Sequence, residues 1–160
     1  CVSRTPRHRK APMGSRQIAD TVVEFPASAA ATFDYLTDPV RRPEWQSSLR
    51  RITDLRSVGD RPGDVGTSWV DVTTVPGIAP RLEVIDCVPQ QYWVEVGNWH
   101  VVDARLRLDV GPHDDGCQVR ARATLTVPRL FTPVLIGLNA LAPTALRADL
   151  QRAAGLLAAR

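Results

Sequence analysis

Apolar and polar residues alternate with a period of two through most of the middle of this chain. The pattern is clearest in two segments. Over 100–110, Val102, Ala104, Leu106, Leu108 and Val110 share one parity, against Asp103, Arg105, Arg107 and Asp109. Over 117–127, Val119, Ala121, Ala123, Leu125 and Val127 oppose Arg120, Arg122, Thr124 and Thr126. Successive side chains of a strand point to opposite faces, so each segment predicts a strand with one dry and one wet face. The sequence PHDDG at 112–116 supplies the turn that pairs them antiparallel. Further strands are expected at 49–57, 66–75, 81–88 and 91–99, separated by Gly- and Pro-containing turns, and a first strand at 17–25 that Pro26 ends.

Two other patterns have helical periods. After Pro26, Ser28 is a suitable N-cap, and Ala29, Phe33 and Leu36 fall on one face. That helix must stop before Pro39, because a residue preceding proline avoids helical angles. Asp38 then caps a second short helix with Pro39 at its first position, and this helix ends on Trp45. The other helical run is long. Leu135, Leu138, Ala142, Leu146, Leu150, Ala153 and Leu157 form an apolar stripe, with Pro143 in its middle predicting a kink.

The fold class is therefore α+β. A curved antiparallel seven-stranded sheet needs its apolar face covered, and only the long C-terminal helix can cover it. The sheet is expected to wrap around that helix, while the two short helices after the first strand close one end.

Composition changes this picture little. Of 160 residues 44% are hydrophobic and 23% charged, an ordinary globular balance. The formal charge of +3 is concentrated at the start, where Arg4, Arg7, Arg9 and Lys10 meet no acid; from Met13 onward the net charge is −1. Residues 1–15 are thus expected to be a disordered basic tail, with Met13 as a natural start, and 16–160 the folded domain. A domain without a basic face is not expected to bind nucleic acid. No integral membrane segment is expected, since no apolar run approaches the ~18 residues that one requires. Cys1, Cys87 and Cys117 show neither metal spacing nor an even count, so reduced thiols and a cytoplasmic setting are expected. There is no Gly-rich phosphate loop, metal motif or GxSxG elbow, so neither cofactor nor metal is expected.

Four stretches, ATFDYLTDPVRRPEW (31–45), VGTSW (65–69), RLEVIDCVPQQYW (81–93) and LRADLQRAAGLLAA (146–159), occur in an order that resembles the START-like (SRPBCC) superfamily. The likeness is to its polyketide cyclase/dehydrase and lipid-transport group, which has the helix-grip fold. It runs from residue 17 to 158. It implies a cavity between sheet and terminal helix, with the broken helix as a lid and Trp45 at its rim or in the core behind it. It implies binding of a hydrophobic small molecule such as a lipid, a polyketide-like or an isoprenoid compound. Two alternatives stay open. One is a polyketide cyclase or dehydratase enzyme. The other is a protein-interaction role like that of quinone-binding or toxin–antitoxin-like relatives. A homodimer is compatible with any of the three.

For the enzyme, His100 is the candidate acid/base, having the parity of the dry face at the beginning of its strand. The candidate ligand-binding residues are Trp45, Trp69, Asp71, Tyr92, Asn98 and Asn139. Aromatic walls suit flat apolar ligands, and the two asparagines offer hydrogen bonds. Strand parity leaves a choice. Taking Tyr92, Val94 and Val96 as inward puts Trp93 and Glu95 on the other face, and taking Val70 and Val72 as inward puts Trp69 and Asp71 out. A pocket that demands polarity reverses this, and Asp71 then faces the side of His100.

Overall fold

Seven strands form one antiparallel sheet: β1 (Met13–Phe25), β2 (Leu49–Arg56), β3 (Ser68–Thr73), β4 (Arg81–Val88), β5 (Tyr92–Trp99), β6 (Val102–His113) and β7 (Gly116–Pro128). Their order across the sheet is β1-β7-β6-β5-β4-β3-β2. The computed structural model describes residues 12–160, without the side chains of residues 134, 135, 138 and 139. Three helices complete the fold: α1 (Ala29–Thr37), α2 (Arg42–Trp45) and α3 (Thr132–Ala158). The α+β arrangement expected from the pattern, and the helix-grip fold that the resemblance implies, are the ones observed.

β1 starts at Met13, where pairing with Pro128 of β7 begins. Residues 13–15, expected in the tail, therefore belong to the sheet, because the long β7 offers them a hydrogen-bonding partner; residues 1–11 lie outside the described part. A register shift between Gln17 and Ala19 places Ile18 and Ala19 both in buried positions. Such a bulge adds local twist, which helps a sheet curl.

The corner between α1 and α2 forms as its residues dictate. The Ser28 hydroxyl accepts from the Ala31 N–H at 3.2 Å and caps α1. The Asp38 carboxylate accepts from the Val40 N–H at 3.0 Å and caps a single 3-10 turn, Pro39–Arg41. α2 follows at once, carrying Arg42 and Trp45 inward, where both are buried.

The core lies between the inner face of the sheet and α3. Val23 and Phe25 of β1, Trp69, Val84, Trp93, Leu108 and Val119 meet Leu150, Ala153 and Ala154 of α3. The expected stripe is buried at Leu150 and Ala153 and half-buried at Ala142, Leu146 and Leu157. α3 continues helically through Pro143.

The Gly/Pro/Asp-rich loop after β2 is anchored to this core. The Trp93 indole N–H donates to the Gly63 carbonyl at 3.0 Å. A Cβ at Gly63 would lie 2.4 Å from the backbone oxygen of Thr37, at the end of α1. A backbone atom cannot rotate away. Gly63→Ala is accordingly expected to destabilise the protein by about 1–3 kcal/mol in a denaturant titration, as overpacking does elsewhere. Unchanged stability would show that the loop is not held against α1.

Candidate functional site

One three-residue pattern occurs twice on the sheet: Trp69-Val70-Asp71 on β3 and Trp93-Val94-Glu95 on β5. Register decides which way each points. Trp69 stands opposite Leu82, and Leu82 opposite Gly97. Trp93 stands opposite Leu108, and Glu95 opposite Leu106. Directly paired residues share a face, so both tryptophans and both acids lie on the inner face. Of the two parities that the sequence leaves open, the structure takes the one with Trp69, Asp71, Trp93 and Glu95 inward, and Tyr92, Val94, Val96, Val70 and Val72 face the other way. Valine is tolerated on the outer face of a sheet, whereas an inward acid needs a partner.

Arg42 of α2 is that partner. Only 2% of it is exposed. Its two terminal nitrogens fork onto Glu95, Nη1 to Oε2 at 2.8 Å and Nη2 to Oε1 at 3.2 Å. Nη2 also reaches Asp71 Oδ2 at 3.2 Å. The other Asp71 oxygen accepts from the Trp69 indole N–H at 2.8 Å. The guanidinium lies over the Trp69 ring, 5.2 Å from its centroid, and Trp69 stacks on Trp93 with centroids 6.4 Å apart. These residues form a buried, hydrogen-bonded charge cluster inside an otherwise apolar core.

One guanidinium cannot fully compensate two carboxylates. Burial alone would lower the pKa of Arg42, but Glu95 and Asp71 outweigh it and the shift is upward. Glu95 shows the remaining imbalance. Burial, with the negative charge of Asp71, pushes its carboxyl up to about 7 against the pull of Arg42. Its surroundings therefore favour the protonated carboxyl more than water does.

This cluster lines a cavity of about 220 Å³ between the sheet and α3. Its apolar wall is Ala19, Leu82, Leu106, Ala123, Ala142 and Leu146. Its polar end is Arg42, Trp45, Gln46, Asp71, Glu95 and Asp149. Asp149 also accepts from the Ser47 N–H at 3.1 Å, tying α3 to the residues after α2. A larger groove, about 450 Å³, runs over α1, the 60–62 loop and the end of α3, lined by Tyr35 and Leu157 and by charged Asp34, Arg41, Asp60, Arg61 and Arg160.

The sequence candidates fall in different places. Trp45 and Asp71 line the cavity, and Trp69 holds Asp71 from behind. Tyr92 is on the outer face, under the guanidinium of Arg107 at 4.2 Å, with its hydroxyl on Asp86. Asn98 is exposed and donates to Asp103. His100 sits in the turn between β5 and β6, exposed, with φ 52° and its ring edge-on to Trp99 at 4.5 Å. The strand expected to start at residue 100 begins at Val102, because the turn needs the left-handed residue first. The side chain of Asn139 lies outside the described residues. Arg42, Glu95, Gln46 and Asp149 were missed. The repeated Trp-Val-acid pattern was the available signal: if the tryptophans are core, two acids go in with them, and a buried cation must follow.

Cys87 and Cys117 are free thiols, and burial raises both pKa values above the ordinary range. Among the described residues no helix is long and apolar enough to cross a membrane, and no group of three or more His, Cys, Asp and Glu could hold a metal ion.

A sheet curled around a terminal helix, with a cavity between them, defines the helix-grip class of domains. The chain belongs to the family described as polyketide cyclase / dehydrase and lipid transport, whose model matches residues 16–160. Among solved structures it is similar to the di-domain ARO/CYC StfQ from the steffimycin biosynthetic pathway, with TM-score 0.69 and 14% identity over 89% of this chain. It spans 50% of the length of that protein. Norcoclaurine synthase from Thalictrum flavum superposes over 100% of this chain and 99% of its own, with TM-score 0.65 and 18% identity. Ara h 8.0201 superposes over 93% of this chain and 100% of its own, with TM-score 0.67 and 8% identity. At these identities the likeness is one of fold. No curated protein matches the chain by sequence.

Proposed function

We propose that this protein binds a small, largely apolar molecule, of lipid, polyketide-like or isoprenoid character, in the cavity between the sheet and α3. The observation that carries this reading is the cavity itself. It combines a continuous apolar wall with a few convergent polar groups at one end, which is the usual make-up of a small-molecule site. An apolar cavity of about 150 Å³ suffices for benzene, so the 220 Å³ found here accepts a single ring or a short chain. Ala142 faces this space from α3. Ala142→Trp is expected to leave the protein folded and to weaken hexane or toluene binding about tenfold or more, read by NMR titration. Wild-type affinity in that variant would place the ligand elsewhere.

A second reading is catalysis, favoured by one observation: Glu95 lines the same cavity with a pKa of about 7. Such a group is suited to general acid/base chemistry on a bound ligand. On this reading Glu95→Gln abolishes turnover while binding persists, and His100→Ala, in the β5–β6 turn, does not.

A further inference from the structure

We propose that this protein docks on the surface of an anionic lipid bilayer, through the end of the sheet from which α3 leaves. Exposed apolar side chains at that end meet the acyl region, and the basic segment that joins the domain at Pro12 meets the headgroups. The inference does not depend on what the cavity holds.

Strand register gathers four parts of the chain at one end of the molecule. Arg81 pairs with Asn98, Trp99 with Val102, Asp103 with Thr126 and Met13 with Pro128. The β3–β4 turn, the β5–β6 turn, the β7–α3 connection and the start of β1 therefore lie together. The first carries Val75, the second Val101 and the third Leu130 and Phe131. All four side chains are exposed, Leu130 to 84%. One exposed apolar residue is ordinary on a protein surface, whereas several gathered from separate elements mark a docking face.

α3 extends this face. Between Arg129 and Arg147 the chain holds no charged residue. A helix that borders water ordinarily carries polar and charged residues on its outward side. Here Ala142 and Leu146 line the cavity, while Ile136 and Leu141 are exposed, Leu141 to 72%. The later turns restore the usual pattern, with Arg147, Gln151 and Arg152 exposed and Leu150 and Ala153 buried. Only the half of α3 that leaves this end lacks a charged outer side. Among the described residues no helix is long and apolar enough to cross a membrane, so the contact is peripheral.

Charge selects the partner. The Arg129 N–H donates to the Pro12 carbonyl at 3.0 Å, so the chain enters the domain beside Leu130 and Phe131. Residues 1–11 carry Arg4, Arg7, Arg9 and Lys10 and no acid. Asp54 and Asp103, acids near this end, are engaged by Arg81 and Asn98. Cations beside an apolar surface suit an anionic bilayer, which receives both. A nucleic acid would use the cations and leave Leu130, Phe131 and Leu141 in water. A second copy of this chain would cover the apolar residues but bring a like set of cations against the first.

The test uses the full chain and vesicles of phosphatidylcholine, alone or with about 30% phosphatidylglycerol, with bound protein read by co-sedimentation. Wild type is expected to bind the anionic vesicles about tenfold more tightly than the neutral ones, and to lose about tenfold in affinity between about 50 and 300 mM NaCl. Leu130→Glu with Phe131→Glu is expected to weaken binding to the anionic vesicles about tenfold, and so is replacement of Arg4, Arg7, Arg9 and Lys10 by Gln. Should the first variant not fold, Leu141→Glu reads the same face. No binding of wild type to anionic vesicles would overturn the proposal, and equal binding to neutral ones would overturn its anionic part. Undiminished binding in a folded Leu130→Glu, Phe131→Glu variant would show that the apolar face does not dock. Sedimentation velocity without lipid is expected to show a monomer, and a dimer that this variant dissociates would give the face to a second copy instead. Duplex DNA bound more tightly than the vesicles, equally by wild type and this variant, would give the cations to nucleic acid and overturn the proposal.

Discussion

Arg42→Met is expected to destabilise the protein by about 3–5 kcal/mol at pH 8, the usual consequence of removing one member of a buried ion pair. Methionine fills much of the same volume, so the loss is electrostatic more than steric. Asp71 and Glu95 then remain desolvated, facing each other without the guanidinium that bridged them. A domain of this kind has about 5–15 kcal/mol of total stability, so the variant is expected to melt well below the wild type. The deficit is expected to shrink as pH falls toward 5, because protons then neutralise the stranded carboxylates. Chemical denaturation at pH 8 and pH 5 checks both statements. A compensating variant separates charge from packing. Arg42→Met combined with Asp71→Asn and Glu95→Gln leaves no buried charge in the cluster, and is expected to recover most of the loss. If Arg42→Met alone is as stable as wild type at pH 8, the cluster is not the buried, paired assembly described above.

The parts of this architecture that depend on local chemistry could be read in the chain. Ser28, Asp38 and Pro39 define the α1–α2 corner by capping and by the restriction that proline imposes, and the observed caps match. β6 and β7 alternate cleanly because their outer face meets water, so polar residues mark it. β3 and β5 do not obey this rule. Their outer positions hold valine, and their inner positions hold acids whose cost is offset by an arginine 29 and 53 residues away. Parity judged strand by strand could not see that partner. The site was hidden for the same reason. Strand parity alone leaves the faces of Asp71 and Glu95 open, and nothing local distinguishes Arg42 from the chain's many other arginines. His100 drew attention because histidine titrates near neutral pH. In this fold the group on the cavity wall with that property is a carboxyl, and only burial beside Asp71 gives it the property.

Glu95→Gln is expected to make the protein more stable at pH 8 and to flatten its pH dependence. The Glu95 carboxyl titrates at about 7 in the folded protein, against an ordinary value of 4.5. The folded state therefore binds more protons than the unfolded state between pH 4.5 and pH 7. Stability must fall as pH rises through that window, and it changes no further on this account above it. The full span of such a shift corresponds to about 3 kcal/mol. Glutamine retains an oxygen for the Arg42 fork and carries no charge at any pH. Arg42 and Asp71 then balance one to one. Unfolding free energies of wild type and variant, measured from pH 5 to pH 8, are expected to converge at the acid end and to separate by up to about 3 kcal/mol at the alkaline end. Other titrating groups act in both proteins and cancel in the difference. Asp20, for example, is held below the ordinary carboxylate range by Arg120, and its contribution is lost only in stronger acid. A variant less stable than wild type at pH 8, with an unchanged slope, would mean that Glu95 is fully ionised and well compensated. In that case it would no longer supply a neutral-pH proton to the cavity, and the catalytic reading would lose its only support.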